Sequence, residues 1–196
     1  MRAGFVHSST RPVAYNHCMK ITGCFLIVLW IAAAPAFAAD LTLFGGYQRQ
    51  GKVSLNAAAN SGGTITQIVK DPFGVGTFGL RFGSSGVFGH EETFEYSRHF
   101  IDTNSKAINL SSNLVLSLPT PKVKPYVTAG MGTFLVSGSG ISDIGAKFAY
   151  NYGGGVKALP EGPVGVRGDI RGYQLTGVSG HKLNVFEVTL GAVFHF

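Results

Sequence analysis

The stretch LNVFEVTLGAVFHF, residues 183–196, decides the fold. Apolar side chains occupy every second position along one face of this stretch, and the last of them is aromatic. Successive side chains of a β-strand point to opposite faces, so this alternation predicts a strand with one face against an apolar phase. The members of the apolar face are Phe186, Val188, Leu190, Ala192, Phe194 and Phe196.

The rest of the chain after residue 39 has a similar character. It contains no apolar run long enough for a membrane helix, although the mean hydropathy of the whole chain is +0.22. Strands of about 9–11 residues, with only alternate residues facing lipid, reconcile these two observations. Closure into a barrel also pairs every backbone N–H and C=O where no water is present. We predict eight strands, at residues 41–48, 75–82, 87–97, 107–118, 126–135, 147–157, 164–173 and 183–196.

The connections between these strands are of two kinds. Short turns follow the second, fourth and sixth strands, whereas the other connections are mostly longer and polar, as in residues 51–73 and 137–146. Strands of soluble sandwiches also alternate, but short turns on one side and longer loops on the other are typical of outer-membrane barrels. We therefore predict an all-β fold, a closed antiparallel up-and-down eight-stranded transmembrane β-barrel. Both termini would lie at the short-turn, periplasmic end.

Residues 21–38, ITGCFLIVLWIAAAPAFA, form the one long apolar run of the chain. The run ends in Ala36-Phe37-Ala38, with small residues at the two positions that signal peptidase reads. A membrane-spanning helix is the competing interpretation. The proline at position 35 and the small-residue end favour a cleaved signal peptide.

We accordingly expect two parts, a presequence at 1–38 cleaved near Ala38 and an exported barrel domain at 39–196. Met19 is an alternative start, because the residues before it add nothing that export requires. Both cysteines of the chain lie in the presequence. The exported domain therefore has neither a disulfide nor a thiolate metal site.

The composition excludes several classes of protein. Only 13% of residues are charged, 28 are glycine and 12% are aromatic, which is untypical of disordered chains, collagen or cytoplasmic enzymes. The formal net charge of +6 includes three basic residues of the presequence, and without them 13 Lys and Arg stand against 10 Asp and Glu. No basic cluster accompanies aromatic residues, so we expect no binding to nucleic acid.

Five segments of the chain resemble the outer-membrane β-barrel domain family, the small OmpA-like and OmpX-like barrels. They are LTLFGGY (41–47), GTFGLRF (76–82), KPYVTAG (124–130), FAYNYGGGV (148–156) and GVRGDIR (165–171). The resemblance covers essentially the whole exported domain and implies a barrel in the cell outer membrane. Such barrels include anchors, adhesins and small enzymes, so the resemblance implies no single activity. The apolar face ending at Phe196 also resembles the signal by which the barrel-assembly machinery recognises its substrates.

Odd and even positions of a strand face opposite sides of the wall, and this alternation predicts which side chains face the lumen. Eight strands leave an interior just wide enough to be filled by these side chains. If Val166 and Ile170 face lipid, the charged residues between and beside them face inward. An unpaired buried charge costs several kcal/mol, so we predict an ion pair between Arg171 and Glu187. The predicted interior polar residues are Arg81, Glu91, Glu95, Asn151, Lys157, Arg167, Asp169, Arg171 and Glu187.

Two further expectations concern these charges. Asp169 is predicted to lie between Arg167 and Arg171, and Glu91 and Glu95 are predicted to be partners of Arg81. The third strand fits a regular alternation less well, because two adjacent glutamates cannot both face inward. Either a bulge near His90–Glu92 or a position close to the membrane interface would accommodate them.

Catalytic and metal-binding patterns are weak. A lipid A-modifying barrel enzyme needs a serine nucleophile and a histidine base, but no His-x-Ser pair shares a strand face. The histidines are too scattered for a metal site. We expect no catalytic residue, no metal and no cofactor. The residues weighed for catalysis are Ser97, His99, Asp102, Ser179 and His181, and those weighed for metal are His90, His99, His181 and His195.

The sequence thus predicts a monomeric, non-enzymatic outer-membrane barrel with a structural, membrane-integrity or surface-interaction role. Alternatives are an adhesin or ligand-binding barrel that acts through its extracellular loops, a lipid A-modifying enzyme, and a small pore. The expected partners are outer-membrane lipid, lipopolysaccharide and the barrel-assembly machinery.

Overall fold

A computed structural model describes residues 39–51, 53–58, 65–70, 74–84, 86–139, 143–158, 163–178 and 181–196. The expected presequence lies outside the described residues. The strands are β1 (Ala39–Gln50), β2 (Val53–Ala58), β3 (Ile65–Lys70), β4 (Gly74–Ser84), β5 (Phe88–Arg98), β6 (Lys106–Ser117), β7 (Val123–Ser137), β8 (Gly145–Ala158), β9 (Val164–Val178) and β10 (His181–His195).

Eight of these strands close into one antiparallel barrel, in the order β1-β10-β9-β8-β7-β6-β5-β4. Closure occurs at β1, where Leu43 is the register partner of Ala192 on β10 and of Leu80 on β4. The barrel strands are 11 to 15 residues long, which exceeds the roughly 9–11 residues needed to cross a membrane. The predicted fold class is confirmed. Within the described ranges, no helix is long and apolar enough to span a membrane.

The two faces of the wall separate apolar from polar side chains. On β4, Phe78 is 61% exposed on the outside, whereas Arg81 is 1% exposed on the inside. On β9, Ile170 is exposed and its neighbours Asp169 and Arg171 are buried. The period of two thus places apolar residues against lipid and polar residues in the lumen.

Glycines give the neighbouring side chains room to lie along the lumen wall. A Cβ atom at Gly155 would lie 2.2 Å from the carbonyl oxygen of Gly168 and 2.5 Å from the hydroxyl oxygen of Tyr126. A Cβ atom at Gly153 would lie 2.9 Å from Cγ of Arg171. At the outward-facing Gly168 the space within 4 Å is open. Part of the high glycine content therefore follows from the close packing of the lumen.

The first long connection contains a small sheet that the sequence analysis missed. β2 and β3 pair with each other as an antiparallel hairpin between β1 and β4, with Val53 opposite Lys70. Residues 51–73 were treated as a loop because of their composition, although VSLNAA and ITQIVK contain the β-branched and alternating residues of strands. The backbone N–H of Gly51 donates to the carbonyl oxygen of Asn184 at 2.8 Å, which ties the start of this connection to β10.

The predicted loop at 174–182 is much shorter than expected. β9 continues to Val178 and β10 begins at His181. The pairing shifts register between His181 and Leu183, and Gly177 has a φ of +71°, the geometry of a bulge. Strand pairing continues because Leu175, Val178 and Leu183 are buried inside this end of the barrel.

Candidate functional site

Three arginines occupy the centre of the lumen and are among its largest fully buried side chains. Arg81 comes from β4, and Arg167 and Arg171 come from β9, four residues apart on the inward face. Guanidinium groups remain charged in proteins, so each buried arginine needs acceptors. Three carboxylates supply them, Glu91 from β5, Asp169 from β9 and Glu187 from β10.

Arg81 connects three strands other than its own. Its Nη2 donates to Oε1 of Glu187 at 2.8 Å, and its Nη1 donates to Oδ2 of Asp169 at 3.0 Å and to the Thr189 hydroxyl at 3.1 Å. The guanidinium carbon also lies 3.8 Å from the centre of the Phe44 ring on β1. Such cation–π contacts are strongest where water is excluded.

Glu91 holds the two arginines of β9 together. Its Oε2 accepts from Nη1 of Arg167 at 2.5 Å, and its Oε1 accepts from Nη2 of Arg171 at 2.6 Å. Asp169 lies between the same two arginines, with Oδ2 2.9 Å from Nε of Arg167 and Oδ1 3.2 Å from Nη2 of Arg171. The two carboxylates thereby offset the repulsion between the two guanidinium groups.

A second ionic group lies nearer the short-turn end. Asp40 accepts from Nζ of Lys157 at 2.7 Å through Oδ2, and its Oδ1 lies 2.7 Å from Nδ1 of His195. Tyr126 connects this group to the arginine cluster, because its hydroxyl donates to Asp169 and accepts from Nε of Arg167, while Lys157 lies over its ring.

Glu95 differs from the other interior carboxylates, because its hydrogen-bond donors are neutral. They are the amide of Gln48, the hydroxyl of Thr77 at 2.5 Å and the amide of Asn109 at 3.0 Å. Nε2 of Gln48 also donates to Glu187 at 2.8 Å, so one amide bridges two acidic residues. Neutral donors in this number occupy the acceptor sites of a buried carboxyl group without a direct ion pair.

An apolar cluster fills the lumen at the loop end. Phe134 is fully buried, with its ring centre 5.5 Å from that of Phe100 and 5.3 Å from that of Tyr173. Phe100 and Ile101 belong to the connection between β5 and β6 and pack into this cluster from above the wall. The remaining members are Ala107, Val136, Ala149, Leu175, Val178, Leu183 and Val185. Among the described residues, the loop end of the lumen is thus occupied by buried apolar side chains.

All nine polar residues expected in the lumen are buried there. Their partners differ from two of the predictions. Arg171 and Glu187 are register partners, but they form no ion pair because each head group turns to another strand, Arg171 to Glu91 and Glu187 to Arg81. Glu91 and Glu95 do not contact Arg81, whose acceptors come from β9 and β10. The position of Asp169 between Arg167 and Arg171 is confirmed.

The sequence analysis missed several lumen residues. Asp40 lay just outside the predicted first strand, and Gln48 and Tyr126 were not assigned to a face. The alternation of strand faces would have predicted that Asp40 and Gln48 point inward, because they share the inward face of β1 with the buried Thr42. Long side chains reach across a narrow barrel to opposite strands, and a register between neighbouring strands does not predict such contacts.

The third predicted strand contains no bulge. β5 pairs in uninterrupted register with β6 from Phe88 to Arg98 and with β4 from Glu91 to Ser97. His90 and Glu92 lie on the outer face near the short-turn end, where Nε2 of His90 is 3.1 Å from Oε1 of Glu92. Both side chains are partly exposed. A position near the membrane interface therefore accommodates the adjacent glutamates.

Among the described residues that were weighed for catalysis, Ser97 and His99 lie on different sides of the wall. The buried hydroxyl of Ser97 donates to Oε1 of Gln48 at 2.7 Å. His99 has a φ of +62°, which ends the alternation of β5, and it lines a cleft on the outside of the barrel. Asp102 lies in the connection after β5, and Ser179 lies outside the described residues. In the part of the chain that the structure describes, no three His, Cys, Asp or Glu side chains are arranged to hold a metal ion.

Some buried polar atoms of the lumen have no protein partner. They lie on β1, β4, β6, β8 and β9 and include both amide atoms of Gln50, both amide atoms of Asn151 and Nη1 of Arg171. Buried polar groups are usually satisfied by protein or by bound water. The described part of the lumen wall therefore keeps some capacity for hydrogen bonding beside its paired charges.

Comparisons with known proteins agree with this architecture. The sequence model of the family described as outer membrane protein beta-barrel domain matches residues 24–196. The chain is similar in structure to Neisserial surface protein A (TM-score 0.60, 13% identity, 81% of this chain and 97% of that one). It is also similar to the N-terminal β-barrel domain of Pseudomonas aeruginosa OprF, with a TM-score of 0.54 and 14% identity over 81% of this chain and 97% of that one. A third similar structure is OprG of the same organism, with a TM-score of 0.50 and 13% identity over 82% of this chain and 97% of that one. A search of curated protein sequences finds no match. These identities support the fold alone.

Proposed function

The chain belongs to the outer membrane protein beta-barrel domain family and lies in the outer membrane, and from this premise we propose that it is a non-catalytic, sealed barrel that maintains the integrity of that membrane. The observation that carries the proposal is the filled lumen. Paired charges occupy its centre, and an apolar cluster fills its loop end. A wall of this kind adds a stable protein surface to the bilayer without opening a wide path for solutes.

The ion pairs support a structural role because they join strands that are not neighbours. Arg81 on β4 contacts residues of β9 and β10, and Glu91 on β5 contacts residues of β9. Removing one partner of a buried pair typically costs about 3–5 kcal/mol. We propose that these ion pairs between non-neighbouring strands hold the barrel in a single strand register. We also propose that the protein acts as a monomer that the barrel-assembly machinery inserts.

The permeability of the outer membrane tests this function. Deleting the gene is expected to raise the uptake of a hydrophobic fluorescent probe under detergent or chelator stress, and the intact gene should restore the barrier. A loop-trimmed gene, in which a two-residue Asn-Gly turn joins Arg49 to Gly74, should restore it equally, because Arg49 and Gly74 are register partners and a tight turn fits there. Unchanged permeability in the deletion strain would refute the proposal.

A surface-interaction role is the second candidate, and the β2–β3 hairpin favours it. The first long connection contains a paired sheet of its own rather than an unstructured link. Ordered loops on a rigid barrel are common sites of binding. Loss of attachment to host cells or matrix in the loop-trimmed strain, together with unchanged permeability in the deletion strain, would establish this role in place of the first.

The proposal also includes the absence of catalysis. The hydroxyl of Ser97 is buried in the lumen and bonded to Gln48, while His99 lies on the outer side of the wall. Lipid A deacylation by the purified folded protein, lost in His181→Ala, would overturn this part of the proposal. A small pore is a third alternative, which the unpartnered polar atoms along the lumen wall favour.

A further inference from the structure

Two basic side chains stand directly opposite each other on the outside of the barrel at the loop end. Arg98 ends β5, Lys106 begins β6, and the two are register partners. Both are exposed. Like charges placed opposite each other on neighbouring strands destabilise the pair. A bound anion would turn this repulsion into two charge-assisted hydrogen bonds.

The turn that joins these two residues is held by its own hydrogen bonds. The Ser105 hydroxyl oxygen accepts from the backbone N–H of Ile101 at 2.7 Å and of Asp102 at 2.9 Å. The backbone N–H of His99 donates to the carbonyl oxygen of Ser105 at 2.6 Å. Phe100 and Ile101 anchor the turn in the apolar cluster. The backbone positions of Arg98 and Lys106 are therefore set before any ligand arrives, which reduces the part of the entropy cost of binding that comes from ordering the turn.

A cleft of about 560 Å³ opens beside this pair. Its membrane side is aromatic, because Phe78 and Tyr96 are register partners with ring centres 5.4 Å apart. Its other described lining residues are Arg98, His99, Thr103, Asn104, Ser105 and Lys106, and they include no carboxylate. The carboxylate of the nearby Asp102 accepts from the backbone N–H of Asn104 at 2.9 Å and is not part of the lining.

The order of these groups along the barrel axis matches a membrane interface. Tyr96 precedes Arg98 by two residues on the outer face of β5, so the aromatic pair lies toward the bilayer and the basic pair lies beyond it. Aromatic girdles mark the level of lipid head groups in such barrels. At the opposite end, the outer face of the same strand carries a His90–Glu92 pair instead. The cation pair thus faces the outer leaflet.

We propose that this cleft binds a phosphate group of an outer-leaflet glycolipid, with Arg98 and Lys106 on the phosphate and Phe78 and Tyr96 against the adjoining acyl chain. The proposal rests on the outer-membrane location stated under the proposed function and names a lipid partner for it. A soluble anion would use only the basic half of the cleft, whereas an amphipathic phosphorylated lipid uses both halves.

Binding of defined lipids to the purified, folded full-length barrel in detergent tests the site. The probes are bisphosphorylated lipid A, the same lipid after enzymatic dephosphorylation, and inorganic phosphate, with retention measured by native mass spectrometry. The double variant Arg98→Gln/Lys106→Gln should bind bisphosphorylated lipid A about ten-fold or more weakly than the wild type, as expected for the loss of charged hydrogen bonds.

The matched control is Arg49→Gln/Lys182→Gln, which removes two other exposed loop-end cations that do not line the cleft. This control should keep its affinity within about two-fold of the wild type. Equal loss in both double variants would overturn the proposal in favour of a diffuse electrostatic attraction. Equal binding of dephosphorylated lipid, or binding of inorganic phosphate as tight as that of lipid A, would also overturn it.

Heat-modifiable mobility on gels verifies that each variant is folded. Because binding is measured on purified protein, its failure is distinguishable from an unchanged permeability barrier in cells.

Discussion

Glu91 and Glu92 are neighbours in the chain and lie on opposite faces of the wall. Glu91 is buried and accepts from two arginines, at 2.5 Å and 2.6 Å. Glu92 is partly exposed on the outer face and contacts His90 at 3.1 Å. The two residues have the same chemistry, so the difference in their energetic importance arises from burial and from the charges around them.

Replacing each of these residues by glutamine gives a matched comparison. Glu91→Gln leaves two buried guanidinium groups without one of their carboxylates, and we expect the free energy of unfolding to fall by about 3 kcal/mol or more. Glu92→Gln removes a partly solvated contact and should cost less than about 1 kcal/mol. Urea unfolding in lipid vesicles measures both. Equal effects would show that the paired lumen does not stabilise the barrel.

Two glycines of neighbouring strands provide a second comparison at this scale. Gly155→Ala places a methyl group 2.5 Å from the Tyr126 hydroxyl oxygen and 2.2 Å from a carbonyl oxygen. Overpacking of this kind typically costs about 1–3 kcal/mol. Gly168→Ala points into open space and should leave stability unchanged or slightly higher. If Gly155→Ala unfolds at the same urea concentration as Gly168→Ala, the lumen is looser than this structure.

At the scale of the strand, the final β-strand combines two predicted roles. Its odd positions supply Glu187 and Thr189 to the lumen, and its even positions form the apolar outer face. Phe196, at 74% exposed, lies just beyond the strand and contributes no packing to the lumen. Its expected role is therefore in recognition during assembly rather than in the stability of the finished barrel.

A substitution at each of two exposed phenylalanines separates these roles. Phe196→Ser should lower the amount of folded barrel in the outer membrane severalfold, while Phe88→Ser, at the same end of the barrel and 85% exposed, should not. Heat-modifiable mobility of membrane fractions measures the folded amount. The refolded Phe196→Ser protein should be as stable in vitro as the wild type. A similar loss in both variants would point to lipid contact instead of a terminal signal.

Alternation along single strands was sufficient to predict the eight barrel strands and the inward side of Arg81, Arg167 and Arg171. It could not predict which charges meet, because Arg81 contacts Asp169 and Glu187 across the lumen rather than along a strand pair. It also missed the β2–β3 hairpin, which pairs outside the barrel, and the extension of β9 and β10. Both depend on local strand pairing, and the extension of β9 and β10 also depends on burial at the loop end, where no membrane enforces a length.

At the scale of the whole molecule, the lumen divides into a polar half and an apolar half. Ion pairs from Asp40 to Arg171 occupy the short-turn half and the centre, and the cluster around Phe134 closes the loop end. In the proposed function, charge pairing fixes the register of the wall, and apolar packing excludes water from one end. A sealed barrel is the central claim, and the small pore is the alternative that opposes it most directly.

Conductance across a planar lipid bilayer decides between them. The folded barrel is inserted at a protein concentration at which a known trimeric porin gives frequent current steps, and insertion is verified by protease protection. A sealed lumen predicts no stable current step above the baseline in 1 M KCl. Reproducible, long-lived steps from the wild-type protein would contradict the account, because ions would then pass both the arginine cluster and the packed rings of Phe100 and Phe134.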